Sequence, residues 1–464
     1  MGIVSVSGYA DINVFFITKE VFGFQTTSEF CGVGSQWLFM AKNSGLNTAP
    51  SVEIPSTDVG FLGALRDSSL RRFAGTTLMW GTGHQLITVS QGYLLFELTG
   101  STLWLAALGA AVGIPNVIVA ILTGMLADRV SRKRLLMVGA MVAGIPMLAV
   151  VLLLIFDALE PWHLLIAGGA QGSALAVDWI SRLSLLPDVV PKGILVRAVS
   201  IDQSAFNGAR VVAPIIGGFI LAISGPTVAY GVIVGLFGLV IMAYRTFRPH
   251  TQLQPGDHRG IVEDLRDVGR VLGSNLILRL NLMFTAVNAL VLGGLIFIIP
   301  AFAKDVYETG EIGLGYLFSA VGLGALAGAL TMSWTDGVKR AGSALLVTDV
   351  LFGAFMVAWA FSSTMALALP IAFLLGYFNA VHIALGIAVI QVNVPAAVRG
   401  RVIGAYELAW SAFPLGGLVS GSLAAVFNLR YSLTILACGL VVFTVVVMLL
   451  SSQFRQLRLT PAKS

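Results

Sequence analysis

The segment GMLADRVSRKR, residues 124–134, lies between two apolar runs, 101–123 and 135–156. It places a glycine at the end of the first run, a carboxylate (Asp128) at its edge, and Arg129, Arg132, Lys133 and Arg134 in the turn. A run of about 20 apolar residues crosses a bilayer as a helix, so this is a basic loop between two membrane spans. A later segment, MSWTDGVKR at 332–340, repeats the pattern with Asp336 at the edge and Lys339 and Arg340 after it. Other landmarks recur in the same order. Val190-Pro191 with Arg197 returns as Val394-Pro395 with Arg399, and Pro214-Ile-Ile-Gly217-Gly218 returns as Pro414-Leu-Gly416-Gly417. A duplicated unit is the simplest account.

Outward from these segments the whole chain has a membrane composition. Of 464 residues, 57% are hydrophobic and 11% charged, against roughly 25% charged in soluble domains. From Phe73 onward twelve apolar runs are long enough to span: about 73–95, 101–123, 135–156, 162–185, 201–223, 226–246, 279–302, 312–334, 342–361, 365–392, 402–425 and 431–451. The fold class expected is an all-α membrane protein, with twelve transmembrane helices in two six-helix pseudo-repeats. Alternate loops carry nearly all the Lys and Arg, and basic loops stay on the cytoplasmic side. Both termini are therefore expected there, in a multi-pass protein of the inner (plasma) membrane. The domains expected are a weakly ordered N-terminal extension over 1–65, a six-helix half over 66–247, a cytoplasmic linker over 248–274 and a second half with a short tail over 275–464. The extension has no run that can span and no basic leader. Within the linker, Val262–Leu272 has the pattern of a short amphipathic surface helix, with a plain solvated connector as the alternative.

The sequence argues against several classes. Cys31 and Cys438 give no disulfide framework, and no Cys/His spacing suits a metal. No phosphate-binding G-x-x-x-x-G-K-[ST] motif is present, and neither is a nucleophile elbow or a zinc-hydrolase motif. No basic patch suits nucleic acid. An enzyme is not expected, nor any cofactor.

Residues 124–134 resemble the loop signature of the major facilitator superfamily, G-x-x-x-D-R/K-x-G-R/K-R/K, with Ser131 in place of the second glycine. Ala209-x-x-x-Ala213-Pro214-x-x-Gly217-Gly218 is similar to the antiporter signature of the fifth span, with two alanines where glycine is usual. Leu186–Pro191, Asn207-Gly-Ala-Arg210 and Val394–Val402 resemble the branch containing the enterobactin exporter and macrolide efflux proteins. The resemblance covers about 73–452 and implies the major facilitator fold. It implies that spans one, four, seven and ten line a central cavity, and that Asp128 meets the N-terminus of span eleven when the cytoplasmic side closes. A carboxylate there is favoured by the helix dipole. Gly124, Asp128, Arg129, Arg132, Lys133 and Asp336 are thus candidate gate residues. Pro214, Gly217 and Gly218 are candidates for bending span five.

Each of those four spans carries polar residues at helical spacings of three, four or seven, which share one face. They are His84 and Gln91, then Gln171 and Asp178, then Asn281 and Asn288, and finally Asn379 and His382. Intramembrane polar groups are costly and point to function. Asp178 is either a proton carrier or a fixed partner of Arg182 one turn away. Arg210 needs a counter-ion, for which Asp178 and Asp202 are candidates, and Glu407 is a rival proton carrier. The function expected is secondary active transport by alternating access, with proton-coupled efflux of small, partly hydrophobic molecules of drug or siderophore type. The partners are the substrate, protons and the lipid bilayer around a monomer. An uncoupled facilitator or importer and a non-transporting sensor or scaffold are the alternatives. The topology is testable in a cysteine-free background. A cysteine near Glu308 should react with an impermeant thiol reagent from outside, whereas one near Arg259 should not. The reverse pattern inverts the expected topology.

Overall fold

The structure is a computed structural model, and it describes residues 66–126, 130–191, 194–247, 269–270, 272–273, 275–334, 340–394 and 396–457. The expected extension over 1–65 lies outside them, as does most of the linker with its expected surface helix. Among the described residues every regular element is a helix. The first four are α1 (Ser68–Thr99), α2 (Thr102–Leu126), α3 (Arg132–Ile155) and α4 (Pro161–Val189). Next comes Leu195–Thr246, which Gly225 breaks into α5 (195–224) and α6 (226–246). The second group is α7 (Leu276–Ala301, prolonged by a π-helical turn Phe302–Val306), α8 (Gly310–Trp334), α9 (Ala341–Ala360) and α10 (Met365–Asn393). It ends with α11, in two pieces Ala396–Trp410 and Ala412–Val426, α12 (Leu429–Leu450) and a short α13 (Ser452–Arg455).

Local chemistry sets the boundaries. Asp67 caps α1 by accepting from the Leu70 N–H at 2.8 Å, and Asn275 caps α7 by accepting from Leu278 at 3.2 Å. Pro161 occupies the first turn of α4, where its missing N–H costs nothing. The break between α5 and α6 needs glycine, because Gly225 has φ +76°, in the left-handed region, and Pro226 follows it. Among the described residues nine helices are long and apolar enough to cross a membrane by composition, the fused α5–α6 segment counting as one. Two further long helices, α1 and α4, fall short of that measure. They are the helices with the most polar and charged groups in their interior faces.

The two repeats pack as separate cores joined by seams. One apolar cluster draws its buried members from Leu70 to Phe247. A second is built mostly on α7–α12 but recruits Val89, Tyr93 and Phe96 of α1. The closest approaches between repeats run along α2 with α11 and along α5 with α8. Glycine makes both possible. A Cβ on Gly109 would stand 2.7 Å from Pro414 O, and one on Gly421 2.5 Å from Thr102 O. On the other seam, Gly218 would meet Glu311 O at 2.5 Å and Gly315 would meet Pro214 O at 2.7 Å. Small residues let membrane helices touch backbone to backbone. These contacts gather at the end of the bundle opposite the basic loops. Nearer the basic loops, an added Cβ on Gly75 or Gly404 would meet open space.

The seams can be tested by adding one methyl group. Gly421→Ala should lower stability by about 1–3 kcal/mol, the usual cost of overpacking. Gly439→Ala, whose Cβ meets nothing within 4 Å, should leave the thermal unfolding midpoint unchanged in detergent. Equal midpoints for the two variants would contradict the seam.

Candidate transport site

The first repeat is tied together by one arginine. Arg182 of α4 is 1% exposed, beside Asp178 at 1% and Asp202 of α5 at 0%. Its Nε donates to Asp178 Oδ2 at 3.0 Å, and its Nη1 donates to Asp202 Oδ2. Each carboxylate has a further donor. Thr77 of α1 donates to Asp202 at 2.5 Å, and Tyr244 of α6 donates to Asp178 at 3.2 Å. The guanidinium also lies over the rings of Trp179, at 5.5 Å, and Phe206, at 5.2 Å. Four helices thus converge on one cation. The expected Asp178–Arg182 pair is present. The counter-ions proposed for Arg210 are not available to it, because Arg182 holds both. Being one turn away on α4 and directly across from α5, Arg182 reaches both carboxylates. Among the described residues Arg210 has no ion pair, and neither has Glu407; both are partly exposed.

Beside this network α1 and α5 form an aromatic wall. Trp80 stacks on His84 at 5.3 Å and on Phe206 at 6.3 Å, and Trp179 meets Phe206 edge-on at 5.7 Å. Gln171 donates to Thr88 at 3.2 Å and lies 3.5 Å from His84 Nδ1. Where α5, α8 and α10 meet, an open apolar recess of about 360 Å³ is lined by Ile215, Tyr316, Leu323, Leu369 and Phe373.

The remaining polar candidates are drawn into helix contacts. Gln91 of α1 donates to Leu164 O of α4. Asn281 of α7 donates to Gly386 O of α10 at 3.0 Å. Asn379 of α10 donates to Asn288 of α7 at 2.8 Å, and Asn288 donates to Asp349 of α9 at 3.0 Å. His382 lies 2.8 Å from the same carboxylate. Asp349 escaped the sequence reading. Its signal was there, as the one carboxylate inside the run 342–361, but its partners lie on other helices.

In the basic loop, Asp128 and Arg129 lie outside the described residues, as does Asp336. Gly124 is in the last turn of α2. Arg132 and Lys133 bond within their own repeat. Arg132 donates to Asp188 at 2.7 Å and to Ser184 O at 2.9 Å on α4. Lys133 donates to the carbonyls of Arg245 and Phe247 at 2.7 Å, where the C-terminal dipole of α6 favours a cation. Gly217 faces Leu86 of α1 and Gly218 faces α8, so the Pro214 segment packs on both.

The profile of a family described as transmembrane secretion effector matches residues 60–461. The multidrug efflux pump Tap of Mycolicibacterium fortuitum is 26% identical over 383 residues, which cover 80% of this chain and 92% of Tap. The enterobactin exporter EntS of Escherichia coli (strain UTI89 / UPEC) is 27% identical over 355 residues, 73% of this chain and 81% of the exporter. A solved bacterial homologue of the human lysosomal transporter Spinster shares the fold, with a TM-score of 0.67 at 16% identity over 85% of this chain and 98% of that one.

Arg182→Gln should destabilise the protein by about 3–5 kcal/mol, because it leaves two buried carboxylates facing each other without a cation. The neutral triple variant Asp178→Asn, Arg182→Gln, Asp202→Asn should recover most of that loss. Thermal unfolding of the purified variants decides it, and a mild effect of the single change would show that the network is not a keystone.

Proposed function

The chain belongs to the transmembrane secretion effector family of major facilitator transporters, and from that premise we propose that it exports small, partly hydrophobic molecules in exchange for protons. It is a multi-pass membrane transporter of small molecules. The observation that carries the proposed cycle is the pair of glycine seams. Backbone lying close on backbone along both seams lets one repeat rock against the other around a site at the middle of the bundle, as alternating access requires. On this reading 66–247 and 275–464 move as two halves joined by 248–274. With the basic loops and both termini in the cytoplasm of the cell, the seams close the outer side and the pathway opens inward. Asp128 then acts as the inner gate against the start of α11, with Arg129, Gly124 and the Asp336 copy in support.

The efflux direction is supported by the names of the relatives, a multidrug efflux pump and an enterobactin exporter. A partly hydrophobic substrate is supported by the wall of Trp80, Trp179 and Phe206. His84 and Arg210, partly exposed beside that wall, supply its polar contacts. The two repeats hold a complete pathway, so a monomer suffices.

Proteoliposomes with an imposed pH gradient, offered a panel of antibiotics, dyes and siderophores, test this. At least one compound should accumulate against its own gradient, and a protonophore should abolish the accumulation. Flux indifferent to the pH gradient would make the protein a facilitator, and no flux of any kind would favour a sensor or scaffold.

A further inference from the structure

Asp349 of α9 and His382 of α10 are both 0% exposed inside the second repeat. Asp349 Oδ1 and His382 Nδ1 are 2.8 Å apart, yet the ring is not aligned for a hydrogen bond. Asn288 donates to the same Oδ1, and Asn379 backs Asn288. Asp349 Oδ2 and His382 Nε2 have no protein partner among the described residues. Among the described residues the surrounding helices bring no ion-paired cation to the pair. α7 offers Asn281, Thr285 and Asn288, while its Arg279 is exposed in the first turn. Arg340, Arg430 and Arg455 also sit at helix ends. From α11 come Tyr406, whose hydroxyl donates to Ile383 O at 3.4 Å and is within electrostatic reach of Asp349, and the part-buried Glu407. α12 adds only the hydroxyl of Thr444, and Tyr316 and Glu311 of α8 lie toward the other end.

We propose that Asp349 and His382 together bind one proton, and that this is the proton exchanged for substrate. The second clause rests on the coupled-export reading above. Uptake turns carboxylate and neutral imidazole into carboxylate and imidazolium, a pair with no net charge. Release leaves one uncompensated negative charge, which a dry helix bundle resists. The proton therefore leaves only when the repeat opens to water or when a partner charge arrives. At the Asp178–Arg182–Asp202 network the cation itself is permanent, because a guanidinium does not give up its proton in a protein. The juxtaposition also explains why the pair is misaligned and why Asp349 Oδ2 and both ring nitrogens have no hydrogen-bond partner among the described residues. A locked structural bond would have used them.

The test uses the full chain in liposomes, with protons alone as the ligand and potassium as the only other cation. Infrared difference spectra between about pH 5 and 8, where histidine changes charge, are recorded on protein with isotopically labelled histidine. The chain has five histidines, so the loss of one component is measurable. Asp349→Asn should remove a histidine component although His382 remains. His382→Gln should replace it with the carbonyl band of a protonated aspartic acid. Either result alone suffices if the other variant does not fold. A wild-type histidine spectrum in Asp349→Asn, no carboxylic acid band in His382→Gln, or a response to added sodium in place of pH would overturn the assignment. In a second arm, ethidium or whichever dye the wild type carries should still exchange down its gradient in both variants, while pH-driven accumulation is lost. If the wild type shows the spectral signature without pH-driven flux, the coupling reading fails and the proton site stands. If both variants keep pH-driven accumulation, the site is not the coupling site.

Discussion

Hydrocarbon offers no hydrogen-bond partners, so every polar group inside a lipid-spanning bundle must be met by another part of the bundle. An unmet amide costs several kcal/mol in such surroundings. That constraint decides which helices are neighbours here. Gln91 fixes α1 on α4, Asn116 fixes α2 on α4 through Gly172 O at 3.0 Å, and Asn281 fixes α7 on α10. Arg182 extends the rule to charge, drawing α1, α4, α5 and α6 to one point. The first and fourth helices of each repeat are joined by the same device, an asparagine or glutamine amide donating to a backbone carbonyl. Duplication is visible in the bonding as well as in the sequence.

The same constraint separates what holds a repeat together from what joins the two. The bonds just named all lie within a repeat. Across the seams, glycine presses on backbone, as with Gly109 on Pro414 and Gly315 on Pro214. Dispersion contacts of that kind are individually weak and have no fixed angular demand. Two surfaces so joined slide or part at lower cost than surfaces held by buried hydrogen bonds. The division of labour therefore gives two stiff bodies and a yielding joint.

Much of this was legible in the sequence. The twelve spans were set by hydropathy and the repeat by recurring landmarks. Gly225-Pro226 marks the break between α5 and α6, where the count of apolar runs had placed a boundary. Some helices are longer than their apolar runs, α1 beginning at Ser68 and not Phe73, because a capping residue and a basic first turn extend it beyond the hydrocarbon. The polar stripes were found because they follow a helical period on one helix. What one helix cannot show is its partner. Arg210 looked the natural claimant for Asp202, but Arg182 reaches it from α4. Asp349 stands alone in its own span and fits no stripe. Only the crossing of α7, α9 and α10 reveals that Asn288 and His382 converge on it. Periodicity reads faces, and these contacts are made between faces.

The two buried charge centres differ in one chemical respect that bears on the transport cycle. The first repeat buries two carboxylates, Asp178 and Asp202, the second buries Asp349, and each centre has one basic side chain in contact. In the first repeat the counter-charge is a guanidinium, which is permanent, and its two carboxylates are saturated by Thr77 and Tyr244. That centre keeps its cation permanently, so it serves as a rivet. In the second repeat the counter-charge is an imidazole, which is optional. Among the described residues its carboxylate keeps one oxygen unmet and neither ring nitrogen has a hydrogen-bond partner. A duplicated architecture with a permanent pair on one side and a conditional pair on the other can keep one half rigid while the other responds to protons. Glycine seams transmit that response because they resist sliding so little. On the proton assignment, the functional asymmetry of the molecule comes down to arginine at one centre and histidine at the other.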